Sequence, residues 1–250
     1  MASQRKGEQG QIEERSKREQ RADRILDAAA ELMLRWGYNK TTIDDIARYA
    51  GVAKGTIYLH WKTREDLFTA LMKREYIRLM EDLQQRIAND PEGGTLHGIT
   101  KHSVLATMKT PLMKAVLLRD TDLLGEWMRK ESASGSYSEQ IAQSLALLEL
   151  FRSRGVLRDD IDVRKQAYML DAITMGFLVI DQYMPNDFKY SDEEVVEMMT
   201  ETVERAFAPS SPSTPQPDEK TKQELSNTLI SYIDNVLAIR NRIDQEEEKP

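Results

Sequence analysis

Residues 42–61 constrain the fold most. Ala47 is followed four residues later by Gly51, and Ile57 stands six residues beyond that glycine. Two short helices that cross closely need a small side chain where their backbones meet, and Ala47 supplies it. The sharp turn between them needs a positive φ, which Gly51 supplies. Ile43, Ile46, Val52 and Ile57 then face a shared miniature core. The pattern reads as a helix-turn-helix whose second helix spans roughly 54–61 and carries Lys54, Gly55, Thr56, Tyr58 and His60 on its free face. Such residues hydrogen-bond to phosphates and base edges, and a helix of this size fits the major groove of duplex DNA.

The flanking pattern is helical throughout. A helix expected from Arg15 carries Ile25, Leu26, Ala29, Leu32, Met33 and Trp36 on one stripe and stops at Gly37, a natural position for a helix-ending glycine. Thr41 or Thr42 can cap the next helix, with Asp44 and Asp45 favouring its first turn. A long helix follows Thr63, through Leu67, Leu71, Tyr76, Leu79, Leu83 and Ile87, to the break at Asn89-Asp90-Pro91. Further segments are expected at about 95–108, 111–130 (interrupted), 137–154, 163–184 and 191–207. Residues 1–14 read as a disordered polar arm and 208–218 as a Pro/Ser linker. In the last helix, 219–250, Leu225, Leu229, Tyr232, Val236, Ile239 and Ile243 form a heptad seam. So short a seam is marginal as a free coiled coil, so docking on its own or a partner's body is expected. The expected fold is therefore all-α. It comprises a three-helix helix-turn-helix domain over 15–62, a helical body over 63–207 and an extra C-terminal helix.

Charge separates the two parts. Residues 1–62 hold 12 Lys/Arg against 9 Asp/Glu, and the remainder 23 against 33. A basic end on an acidic body suits a protein that presents one end to phosphates. There is no cysteine, which excludes disulfide and thiol chemistry. No apolar run approaches the roughly 18–20 residues that span a membrane, and the N-terminus has no apolar signal region, so a cytoplasmic location is expected. His97 and His102 are five apart, off the spacing that would place two ligands on one helical face, and no Gly-rich phosphate loop or nucleophile motif occurs. Neither a metal, a cofactor nor an enzyme activity is expected.

Over residues 22–68 the chain resembles the N-terminal domain of the TetR/AcrR family of transcriptional regulators. The matching features are Ile25-Leu-Asp-Ala-Ala, Gly37-Tyr38, Thr42-Ile-Asp-Asp-Ile-Ala and Ala50-Gly-Val-Ala-Lys-Gly-Thr-Ile-Tyr58, then His60-Trp61-Lys62 and Glu65-Asp-Leu-Phe68. Trp61 stands where the family more often has Phe. The resemblance implies DNA contacts by Thr41 or Thr42 at the second helix's start, by Lys54, Gly55 and Thr56 opening the recognition helix, and by Tyr58 and His60. Lys62 resembles the family's phosphate-binding lysine, and Arg18, Arg21 and Arg24 are candidates for further phosphate or minor-groove contacts.

A reader this small gains specificity by dimerising on a near-palindromic operator. Residues 163–184 are apolar nearly all round, as for a helix buried on two sides. With the following helix they suggest a homodimer interface of Leu170, Ile173, Gly176, Phe177, Ile180, Val195, Met199 and Val203. Met108, Leu112, Met113, Trp127, Met128, Tyr137 and Met169 are candidate lining for a small apolar or amphipathic effector. The expected function is a ligand-responsive repressor released from double-stranded DNA by its effector. The alternative is a helical adaptor or activator whose C-terminal helix recruits a protein partner.

Overall fold

The computed structural model describes residues 2–133, 136–209 and 219–247, with side chains described at 17–130, 141–142, 144–180, 182–209 and 219–234. Among them are eleven α-helices and no strand: α1 (Ala2–Trp36), α2 (Ile43–Ala50), α3 (Lys54–Tyr58), α4 (Arg64–Asn89), α5 (Leu96–Met108), α6 (Pro111–Leu117), α7 (Thr121–Ala133), α8 (Ser136–Ser153), α9 (Val163–Val179), α10 (Asp192–Phe207) and α11 (Glu219–Glu247). Helix starts follow side-chain chemistry. Thr42, Thr95, Asp162 and Ser191 each place an oxygen on a backbone N–H of the following turn. Thr63 and Asp66 bond reciprocally to each other's backbone N–H at the start of α4.

Two expectations about element ends are corrected. Helix α1 begins at Ala2 rather than near Arg15, so the first residues continue the helix instead of forming an arm. Their Gln, Glu, Lys and Arg are good helix formers and outweigh Gly7 and Gly10. Helix α9 stops at Val179 and tightens into a 3-10 turn over Ile180–Gln182. Pro185 follows, and the residue before a proline is driven out of the helical region. The expected linker falls almost wholly outside the described residues.

The chain divides into two compact units, residues 1–75 with 119–130, and residues 76–118 with 131–250. In the first, Ile25, Ala29 and Met33 of α1, Ile46 of α2, Ile57 of α3, and Leu67, Phe68 and Leu71 of α4 are all fully buried, and α2 contacts both α1 and α3. Gly51 adopts φ 67° and ψ 38°, the left-handed conformation the turn demands, and donates to Ala47 O and Arg48 O. The 119–130 segment belongs to this unit. The Asp122 carbonyl lies against Gly37, and Lys130 pairs with Glu65 at 2.6 Å. Helix α7 is broken at Gly125 (φ 55°, ψ −132°), where the Asn39 side chain occupies the space a Cβ would fill.

In the second unit α10 lies along α5, and Val104, Val196 and Met199 form a buried cluster flanked by Leu105, Met108, Ile173 and Phe177. Helix α11 docks on this unit through Leu225, Leu229 and Ile233, all buried. Its backbone comes so close to Gly94 that any side chain there would overlap the Lys222 carbonyl. Lys222 pairs with Glu92, and Gln84 donates to Asp234 at 2.8 Å. The first half of the seam therefore packs on its own chain. Val236, Ile239 and Ile243 lie outside the described side chains.

Candidate nucleic-acid interface

The recognition face stands on a short helix anchored from within. Ile57 points into the first unit's core, which turns the rest of α3 outward. Lys54 and Gly55 are exposed, Thr56 is half-buried, and Tyr58 is 47% exposed, so Tyr58 is a surface side chain rather than core. The helix is shorter than expected. After Tyr58 it tightens into a turn in which His60 N donates to Ile57 O at 2.9 Å. A Cβ added at Gly55 would meet nothing within 4 Å. Nothing in the chain itself therefore requires a glycine there.

Polar contacts organise the rest of the face. Lys54 Nζ donates to Asp44 Oδ2 at 2.8 Å, linking α3 to the first turn of α2. The Thr42 hydroxyl accepts from Asp45 N at 3.2 Å and donates to the Asp45 carboxylate at 2.6 Å. Arg48 also pairs with Asp45. These contacts, the Thr42 hydrogen bond first, hold the Asp45 carboxyl below its usual range. His60 is half-buried beside Trp61, the ring centroids 5.2 Å apart. Burial, then the charges of Arg18 and Arg21, push its pKa down. Arg18 and Arg21 are thus near His60, and Arg18, Arg21, Arg24 and Lys62 are all exposed. Lys62 forms no ion pair among the described residues.

Thr41 is a correction. It is 0% exposed, its hydroxyl donates to Gly37 O at 2.9 Å, and its carbonyl accepts from Arg64 Nε at 3.0 Å. It is a structural residue of the turn, and Thr42 is the one that reaches solvent. Sequence reasoning also missed Arg64. Its guanidinium donates to the carbonyls of Thr41 and Tyr38 and lies 3.9 Å from the Tyr38 ring centroid. Burial raises the Tyr38 pKa and the Arg64 charge opposes that rise. The overlooked signal is a cation in the first turn of α4, where the helix dipole disfavours it.

The expected effector lining is divided between the two units. Trp127 and Met128 are buried in the first unit. Leu112 and Met113 are buried in the second, and Met108 packs on the cluster between α5 and α10. Met169 is exposed on α9, and the Tyr137 side chain lies outside the described ones. An open groove of about 440 Å³ in the second unit is lined instead by Leu150, Asn227, Thr228, Ser231 and Tyr232. Three expected interface residues also go elsewhere. Val195, Met199 and Val203 are buried within their own chain, Met199 to 1% exposure, because that stripe of α10 faces α5.

Residues 25–71, the segment that builds this face, match the family model described as bacterial regulatory proteins of the tetR family. Over these residues the chain is similar to the TetR/AcrR family of regulators. A fatty acid metabolism regulator protein of Bacillus subtilis is 40% identical over 63 residues, 25% of this chain and 32% of that protein. This chain therefore matches about a third of that relative's length. The transcriptional repressor BepR of Brucella suis is 27% identical over 62% of this chain and 77% of its own. The solved structure of FadR from Bacillus subtilis in complex with stearoyl-CoA shares the fold, with a TM-score of 0.53 and 24% identity, covering 72% of this chain and 96% of that one. The TetR/AcrR likeness thus extends in fold well beyond the helix-turn-helix, while the sequence match concentrates within it. Among the described residues no helix is long and apolar enough to cross a membrane, and no cluster of side chains is arranged to hold a metal ion.

Proposed function

We propose that this chain is a cytoplasmic, homodimeric repressor of the TetR/AcrR family that binds a near-palindromic operator in double-stranded DNA and leaves it when a small apolar or amphipathic effector binds. The observation that carries the DNA-binding part is the outward face of α3 with Lys54, Thr56 and Tyr58, together with the exposed arginines of α1 and Lys62, which forms no ion pair among the described residues. Phosphate contacts of this kind fix register, and base-edge contacts select sequence.

The homodimer is supported by the surface of α9 and the turn after it. Leu170, Ile173 and Phe177 are half-buried in a single chain, and Met175 and Ile180 are exposed. Tyr183 is 73% exposed, with Phe188 and Tyr190 nearby in sequence and also exposed. Exposed apolar residues concentrated on one segment mark a candidate interface. Gly176 lies among these residues, and an added Cβ there would meet nothing within 4 Å. A mid-helix glycine costs roughly 1 kcal/mol relative to alanine. The close approach of a second copy's backbone gives that cost a reason.

Effector control is supported by the relatives. BepR is a repressor, and the FadR structure contains stearoyl-CoA. The effector acts by binding the operator-competent and operator-incompetent states with different affinity, with α4 connecting the two parts of the chain. The test is a titration against a duplex selected from a randomised pool. Lys62→Ala is expected to weaken the selected and a scrambled duplex alike, because it removes a phosphate contact. Loss on the selected duplex alone would contradict that role. Wild-type binding that is equal for both duplexes would overturn the regulator reading.

A further inference from the structure

We propose that Asp44 is a positioning residue that sets DNA specificity through Lys54, keeping the lysine charge from strengthening binding to arbitrary duplexes while aiming it at a matching one. This rests on the DNA-binding reading above and extends it. The two residues lie on different helices, ten positions apart, and meet at 2.8 Å on the outer surface, with side chains 49% (Lys54) and 67% (Asp44) exposed. Lys54 opens α3, where the positive end of the helix dipole opposes a cation and a four-carbon stem leaves it free to sweep. Asp44 offsets the first effect and limits the second. The other acid of that turn, Asp45, is engaged by Thr42 and Arg48. Asp44 is thus the carboxylate available to Lys54, while Lys62 stands without an ion pair among the described residues.

The consequence follows from charge accounting. Non-specific affinity comes from cations that displace counterions from phosphates. A lysine paired with a carboxylate carries no net charge to that encounter, and the carboxylate itself is repelled by phosphates. An ammonium has three donors, so on a duplex that offers guanine O6 or N7 in register Lys54 can keep Asp44 and donate to the base as well. Discrimination then arises from weakened binding to the wrong partner as much as from strengthened binding to the right one.

The experiment uses the full chain, a duplex selected from a randomised pool with wild-type protein, and a scrambled duplex of the same composition, titrated over a range of salt. Asp44→Asn is expected to raise affinity for the scrambled duplex about threefold or more and to steepen its salt dependence by about 0.9 in log–log slope, one additional effective charge. The selected-to-scrambled ratio should fall by at least about threefold. In a Lys54→Met background, Asp44→Asn should leave that ratio unchanged. Simple repulsion between Asp44 and phosphate would instead shift both duplexes equally in both backgrounds. A ratio unaltered by Asp44→Asn, or altered equally with and without Lys54, would overturn the proposal. Thermal unfolding checks that each variant folds, and Asp44→Ser, which keeps a hydrogen-bonding group near the helix start, serves the same test. Wild-type protein that binds neither duplex at low salt would overturn the DNA-binding reading first, and this proposal with it.

Discussion

Gly55 is where fold and function pull apart most cleanly. It sits exposed inside a five-residue helix, and nothing in the chain contacts the space its missing Cβ would occupy. Gly55→Ala is therefore expected to stabilise the folded protein by about 0.5–1 kcal/mol. It should at the same time weaken binding to the selected duplex, because the backbone of α3 can no longer approach as closely. Thermal unfolding and a titration on the same sample check both halves, and an alanine variant with wild-type affinity would contradict the second. His60 gives a pH signature at the same scale. Its pKa is lowered by burial and by Arg18 and Arg21, so between that lowered value and the ordinary one near 6.5 the unfolded chain binds more protons than the folded one. Its contribution to stability is thus intact above about pH 6.5 and is lost as the pH falls through that window. Phosphates placed beside Arg18 and Arg21 would raise the His60 pKa again. Affinity for DNA should accordingly rise as the pH drops across the same window, and His60→Gln should flatten both trends.

At the scale of elements, the turn between α1 and α2 is held by a residue of α4. Arg64 supplies hydrogen bonds to the otherwise buried carbonyls of Tyr38 and Thr41. Arg64→Met removes the Arg64 donor from Thr41 O and leaves Tyr38 O with the Thr41 N–H alone, and should destabilise the protein by about 1–3 kcal/mol. Arg64→Lys should restore only part of the loss, since an ammonium cannot both bridge the two carbonyls and stack on Tyr38 as a guanidinium does. Equal unfolding temperatures for wild type and Arg64→Met would show that the clamp contributes nothing. This clamp also marks what the sequence could and could not disclose. The helix-turn-helix was legible because its requirements are local: Ala47 at the crossing, Gly51 in the turn, Thr42 on the N–H of Asp45. The helices at about 95–108 and 191–207 were legible through their helical pattern and the breaks between segments. The partners of Arg64, the docking of 119–130 beside Gly37 and Asn39, and the turning of Val195, Met199 and Val203 towards α5 were not. Each joins positions distant in sequence, where periodicity says that a face is buried without saying against what. Thr41 failed for a simpler reason, because adjacent threonines offer the same cap and only the packing of Tyr38 decides which one turns inward.

For the whole molecule, the account requires two copies. The proposed dimer rests on the exposed apolar surface of α9 and the open space over Gly176. An added Cβ at Gly176 meets nothing within 4 Å in the single chain, and Gly176→Leu would fill the space a partner backbone would enter. Overpacking of that kind costs about 1–3 kcal/mol, a roughly 5- to 150-fold weaker dimer. Sedimentation should show the variant dissociating at concentrations where wild type remains dimeric, with the separated chain at least as stable as wild type because a mid-helix glycine is removed. The most direct measurement for the central claim is a titration of wild-type chain against a duplex selected from a randomised pool, read for stoichiometry, salt dependence and preference over a scrambled duplex. The account predicts two chains per selected duplex, affinity falling steeply with salt as several phosphate contacts release counterions, and clear preference for the selected sequence. One chain per duplex would contradict the dimeric reader, and equal affinity for both duplexes would contradict the recognition role of α3.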